Sequence, residues 1–122
     1  MVIMFSAISV SLVSNAAVNN GENEIMPLYD TFNTYTVGFD VSGFKATATV
    51  TLSAQYSTNL KITIYLQKET SSGYETVETW TKSGTGYSLL LEETATVNIF
   101  LNYRIKVTMV TGAETVTVYR YE

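Results

Sequence analysis

Cysteine and histidine are both absent from the 122 residues, and proline occurs once. Without cysteine there is no disulfide framework, no thiolate nucleophile and no lipid-modified Cys anchor. Without histidine the commonest general base and the commonest zinc ligand disappear together. Charge is sparse as well: 11 acidic and 7 basic residues leave a formal net charge of −4, scattered along the chain rather than blocked. No basic track for phosphates arises, which speaks against nucleic acid as a partner.

The motifs of catalysis are missing too. There is no G-x-S-x-G elbow to present a serine, and the neighbouring Lys82 and Ser83 would point to opposite faces of a strand. Glu92 and Glu93 are adjacent, and Glu75 and Glu78 fall on opposite parities, so neither pair spans a cleft as glycoside hydrolysis requires. Ser83-Gly84-Thr85-Gly86 lacks the Lys and helix of a phosphate loop and reads as a turn. There is no D-x-D-x-D-G loop; calcium held by Glu92, Glu93 and backbone oxygens is the one metal alternative. The expectation is a protein without catalysis, cofactor or resident metal.

What is present is a period-two alternation from about Tyr35 to Tyr121. Phe44, Ala46, Ala48, Val50 and Leu52 take one parity, and Lys45, Thr47, Thr49, Thr51 and Ser53 take the other. Successive side chains of a strand point to opposite faces, so the pattern describes strands with one dry and one wet face. Seven strand segments follow, 35–41, 44–54, 60–68, 74–82, 87–91, 103–111 and 114–121, with Gly- and Ser-bearing turns between them. Segment 92–102 is less clear: 94–97 extends a strand or not, and 98–102 crosses between sheets. Parity sends Leu60, Ile62, Ile64 and Leu66 inward, with Tyr103, Ile105, Val107, Met109, Val116 and Val118. The spacing predicts an all-β, seven-stranded antiparallel immunoglobulin-like sandwich over 34–122.

The N-terminus is different in kind. Residues 2–13 form an uncharged apolar run, and Ser14 and Ala16 place small residues before a cut at Ala17, so 1–16 reads as a signal peptide and the chain as secreted. The run is too short to span a bilayer stably. No Lys or Arg precedes it, so either the true start lies upstream of Met1 or the segment is a buried first strand or helix. Residues 17–33, polar and Asn-rich at first, read as a leader.

Tyr103-Arg104-Ile105-Lys106-Val107 resembles the start of strand F in immunoglobulin-like and fibronectin-type-III-like sandwiches. There the tyrosine hydroxyl bonds back to nearby backbone. The order Leu66-Gln67-Lys68, Trp80, Gly84 and Tyr103-Arg104, after Glu24-Ile25-Met26-Pro27, is similar to a family of small secreted β-domains of unknown function from Gram-positive gut bacteria. That resemblance covers roughly residue 24 to the end, implies secretion and a β-fold, and carries no functional residues across.

The tyrosines are the one suggestive constellation. If the third, sixth and last segments share a sheet, Tyr65, Tyr119 and Tyr121 decorate its outer face with Arg104 and Lys106 among them. Trp80, on the parity opposite Val77, joins this candidate surface or caps the core half-buried. Aromatic faces pack on sugar rings or anchor protein partners. Equally, tyrosine and threonine simply make good exposed strands. The expected function is a non-catalytic binding module for a glycan, a cell-wall polymer or a surface protein. The alternatives are a structural protein that self-assembles through sheet edges and a membrane-active secreted effector.

Overall fold

A computed structural model describes residues 31–122 together with the backbone of Glu24 and Ile25. The expected signal segment and most of the expected leader lie outside the described residues. The strands are β1 (Glu24–Ile25), β2 (Phe32–Ser42), β3 (Lys45–Thr70), β4 (Gly73–Thr96), β5 (Tyr103–Thr111) and β6 (Glu114–Tyr121). They pair antiparallel in the order β1-β2-β3-β5-β6, and β4 runs along the other edge of β3.

The 26 residues of β3 organise the molecule. Its first half pairs with β2 on one side and the end of β4 on the other. Its second half pairs with β5 and the start of β4. Between them the register slips from Ser53 to Thr58. An irregularity of this kind bends a strand and increases its twist. The sheet therefore curls, and its two halves enclose one core.

That core is built from the inward parities of β2, β3, β5 and β6, with Leu91 of β4. Val37, Val50, Leu52, Ile62, Ile64, Ile105, Val107, Met109 and Val118 are buried together in one cluster. Each such side chain stabilises the fold by about 1.5–3 kcal/mol relative to leaving it in water. Thr31 fastens the start of β2 to the β5–β6 turn: its amide donates to Glu114 Oε1 at 2.9 Å, and its hydroxyl to the Thr111 carbonyl at 2.9 Å. Buried Thr31 and Phe32 thus belong to the folded body, inside the segment expected to be leader.

Every expected segment is strand apart from Phe44, yet the described residues form five long strands and one of two residues rather than seven. The breaks expected near 55–59 and 83–86 are bends inside β3 and β4. Ser83-Gly84-Thr85-Gly86, expected as a loop, continues the ladder opposite Lys61, Leu60, Asn59 and Thr58. Phe44 departs from its parity as well. It sits in the two-residue turn that follows Ser42, where Gly43 adopts φ 62°, and is 64% exposed. A residue in the turn no longer obeys the alternation of the strand it precedes.

Two ends result. The β2–β3 and β3–β4 turns, the 97–102 crossing and the C-terminus lie at one end. The bends of β3 and β4 and the β5–β6 turn lie at the other.

Candidate functional site: the outer face of β3, β5 and β6

The second half of β3 lies beside β5, and β5 beside β6, so their outward residues form transverse rows. One row is Thr76, Gln67, Arg104 and Tyr121; the next is Thr79, Tyr65, Lys106 and Tyr119; the third is Thr81, Thr63, Thr108 and Thr117. Tyr65, Arg104, Lys106, Tyr119 and Tyr121 therefore share one face, as the sharing of a sheet requires. Inward neighbours Leu66, Ile105, Val107 and Val118 are buried, which locks the register and with it the direction of each outward side chain.

Arg104 is the centre. Its Nε donates to Gln67 Oε1 at 2.7 Å and its Nη1 to Tyr121 Oη at 3.0 Å. Gln67 in turn donates through Nε2 to Thr76 Oγ1 at 3.0 Å. One polar chain thus crosses four strands. The guanidinium carbon lies 3.9 Å from the centroid of the Tyr74 ring, 4.6 Å from that of Tyr119 and 5.8 Å from that of Tyr121. Tyr74 and Tyr121 meet edge to face at 6.2 Å. In the next row Lys106 Nζ is 5.5 Å from the Tyr65 ring centroid. Cations over tyrosine rings at these distances are attracted by the ring quadrupole. Loss of solvent around Tyr74 raises its phenol above the ordinary value; Glu69, Tyr121 and Glu122 push the same way, against Arg104. That phenol is neutral at physiological pH and able to donate a hydrogen bond.

Trp80 is not part of this surface. It pairs with Ile64 on the inward parity and packs half-buried against the core. Tyr74, which was not anticipated, takes the place. The reason is a register shift: Leu66 pairs with Glu78 but Gln67 with Thr76, leaving Val77 as an extra residue. Counting by two from Trp80 puts Tyr74 on the Trp80 face, whereas the bulge turns it to the other. The shift has no local sequence mark. Gln67 was legible as outward, but its role as the link between Arg104 and Thr76 follows only from the pairing of three strands.

The face is chemically a fixed guanidinium among phenol rings, with a second cation one row away and a threonine row beyond. Two of the five N–H donors of Arg104 are spent on Gln67 and Tyr121. The arrangement can offer the others to an oxygen-rich ligand, and its rings to an apolar one. Among the described residues no three acidic side chains gather to hold a metal. Elsewhere an open cleft of about 390 Å³, lined by Leu66, Val77, Ala95, Leu101 and Tyr103 among others, sits at the end that carries the 97–102 crossing.

The Tyr103 hydroxyl accepts a 3.1 Å hydrogen bond from the backbone amide of Asn98, five residues upstream.

No family model and no curated protein matches the chain. Among solved structures it is similar to the solution structure of CsgH from R. palustris, with a TM-score of 0.49 and 13% identity, covering 71% of this chain and 89% of that one.

Proposed function

We propose that the chain is a secreted, non-catalytic binding module that takes a glycan or cell-wall polymer on the outer face of β3, β5 and β6. The observation that carries this is the immobilised Arg104, held by Gln67 and Tyr121 among three tyrosine rings. A flat aromatic strip with pre-placed donors binds at low entropic cost, because few rotamers remain to be frozen. Sugars present an apolar ring face and a rim of oxygens, which matches rings and guanidinium side by side. Secretion is supported by the apolar run at 2–13 and by the small residues after it. An immunoglobulin-like layering is supported by the order of the half-strands, with β2, early β3 and late β4 in one layer and early β4, late β3, β5 and β6 in the other.

The test is retention of the chain on immobilised plant, mucin and peptidoglycan polymers. Wild type and Trp80→Phe are retained alike, and Arg104→Ala and Tyr119→Ala lower affinity on the order of tenfold or more. Silence across all three polymer classes, or retention unchanged by Arg104→Ala, refutes the proposal.

Self-assembly through sheet edges has one observation in its favour. The β6 edge carries no charge from Thr115 to Tyr119 and pairs only with β5 among the described strands. The β4 edge is guarded instead, since Glu78, Lys82 and Glu93 sit on inward parities that a partner strand would have to bury. Light scattering over a range of concentrations separates the readings: a constant monomer excludes assembly.

A further inference from the structure

Basic residues are scattered along the sequence, 7 in all, but the sheet gathers three of them on one surface. Beyond the threonine row of the candidate face comes a fourth row, Ser83, Lys61, Val110 and Thr115. The four rows together hold Arg104, Lys106 and Lys61, and no Asp or Glu. In a chain with 11 acidic residues, this is a patch of uncompensated positive charge. Among the described residues none of the three cations is ion-paired. Arg104 is held by the neutral Gln67 and Tyr121, Lys106 lies over the Tyr65 ring, and Lys61 is exposed. Glu69 and Glu122 stand at the Tyr74 end, beyond Arg104. They accept hydrogen bonds from the Asn102 side chain at 3.1 Å and the Tyr103 amide at 2.8 Å.

The spacing of the cations selects the kind of anion. At ~3.4 Å per residue, Arg104 and Lys106 are roughly 7 Å apart along β5, and Lys61, opposite Val110, is roughly 14 Å further on. They do not converge on a point, as a site for a single phosphate or carboxylate would require. They form a strip roughly 20 Å long, which suits charges repeated along a polymer. Between Lys106 and Lys61 lies the row of Thr81, Thr63, Thr108 and Thr117. Hydroxyls both donate and accept, so this row complements a chain that carries hydroxyls between its charges. An acidic protein surface is a poorer match. Protein interfaces have an apolar centre, and of the large apolar side chains that project from the described residues only Tyr121 stands in these rows.

We infer that the glycan or cell-wall polymer proposed for this face is anionic, with carboxylate or phosphate groups along its chain, and that Lys61 is a further contact. This rests on the reading of the face as a polymer site and adds the sign of the ligand's charge. The polymer runs from Arg104 towards Lys61, away from the repelling charges of Glu69 and Glu122. Arg104 and Lys106 lie within a Debye length at physiological salt and act jointly, whereas Lys61 lies beyond it and adds separately.

The test titrates the full chain with polygalacturonate, its fully methyl-esterified form, poly(glycerol phosphate) and polyglutamate. The two galacturonate polymers share a backbone and differ in charge. At least one of polygalacturonate and poly(glycerol phosphate) is expected to bind on the order of tenfold more tightly than the ester, and the tighter of the two names the charged group. Raising salt from about 0.05 to 0.2 M weakens that binding roughly tenfold. Lys61→Gln and Lys106→Gln each weaken it about two- to fivefold. Lys45→Gln makes the same change in net charge on the other outer face and leaves it unchanged. None of the three lysines donates a hydrogen bond within the fold, so the variants fold, which circular dichroism checks. Equal affinity for the ester and the anionic polymers sinks the inference while the polymer-site reading stands. If neither anionic polymer binds, the inference also fails, and the parent reading is then decided by the uncharged polymers. Polyglutamate bound as tightly as the better anionic polymer marks an acidic protein as the partner instead. A loss in Lys45→Gln equal to that in Lys61→Gln means that net charge alone is sensed, which overturns the site.

Discussion

The two outer faces of the curled sheet are built on the same β3 strand, yet they differ in kind. Over its first half the outward rows are Thr34, Ser53 and Ser88, then Thr36, Thr51 and Leu90, then Gly38, Thr49 and Glu92, then Asp40, Thr47 and Thr94. Hydroxyls dominate in those rows, aromatics are absent from them, and one cross-strand link is the Thr36–Thr51 hydroxyl pair. Over the second half one polar chain joins Thr76, Gln67, Arg104 and Tyr121 across four strands, with phenol rings stacked about it. Both faces satisfy the requirement for a wet side. Only the second spends side-chain entropy on fixing long, charged groups in place, a cost that a merely solvated surface does not incur.

The largest expected difference lies at Arg104. Hydrogen bonds to charged groups contribute about 1.5–3 kcal/mol when well shielded. With partial exposure Arg104→Ala is expected to cost about 1–2 kcal/mol in urea unfolding, whereas Thr51→Val on the plain face stays within about 0.5 kcal/mol. Equal costs would erase the distinction between the faces. A double-mutant cycle sharpens it. Arg104→Ala with Gln67→Ala is expected to show a coupling of about 0.5–1.5 kcal/mol, and Thr36→Val with Thr51→Val a smaller one.

The smallest effect is in alkali. The Tyr74 phenol has its folded-state value raised above the ordinary 10.0, so the folded state holds the proton more tightly than the unfolded chain. Its contribution is complete below about pH 10 and is lost as pH rises beyond that. Wild type is therefore expected to lose slightly more stability than Tyr74→Phe between pH 9 and 11, and identical slopes would mean that Tyr74 does not sense the cluster.

Much of this fold was legible residue by residue. Ile62, Ile64, Val107 and Val118 were assigned inward from alternation alone and are fully buried, because parity is a local property of extended backbone. Tyr65, Arg104, Lys106, Tyr119 and Tyr121 were assigned outward for the same reason. Trp80 and Tyr74 share a parity in the sequence yet face opposite ways, Trp80 capping the core half-buried and Tyr74 on the outer face, because one unpaired residue at Val77 inverts parity, and nothing in Thr76-Val77-Glu78 announces it. Phe44 looked like the first core residue of a strand and became the flank of a turn. The loops expected at 55–59 and 83–86 were read from polar and glycine residues, but a ladder between two long strands absorbed them as bends.

Alternating chemistry along the chain determined that this protein is a β-structure with a dry and a wet side, because each residue's face follows from its neighbours' dihedrals. Composition alone removed thiol and imidazole chemistry. Which outward residues meet was decided by register between strands far apart in sequence. It took the pairing of β3 with β5 and of β5 with β6 to bring Gln67, Arg104 and Tyr121 within hydrogen-bond reach. Those contacts are set by the packing of the whole core, a quantity that no stretch of sequence contains by itself.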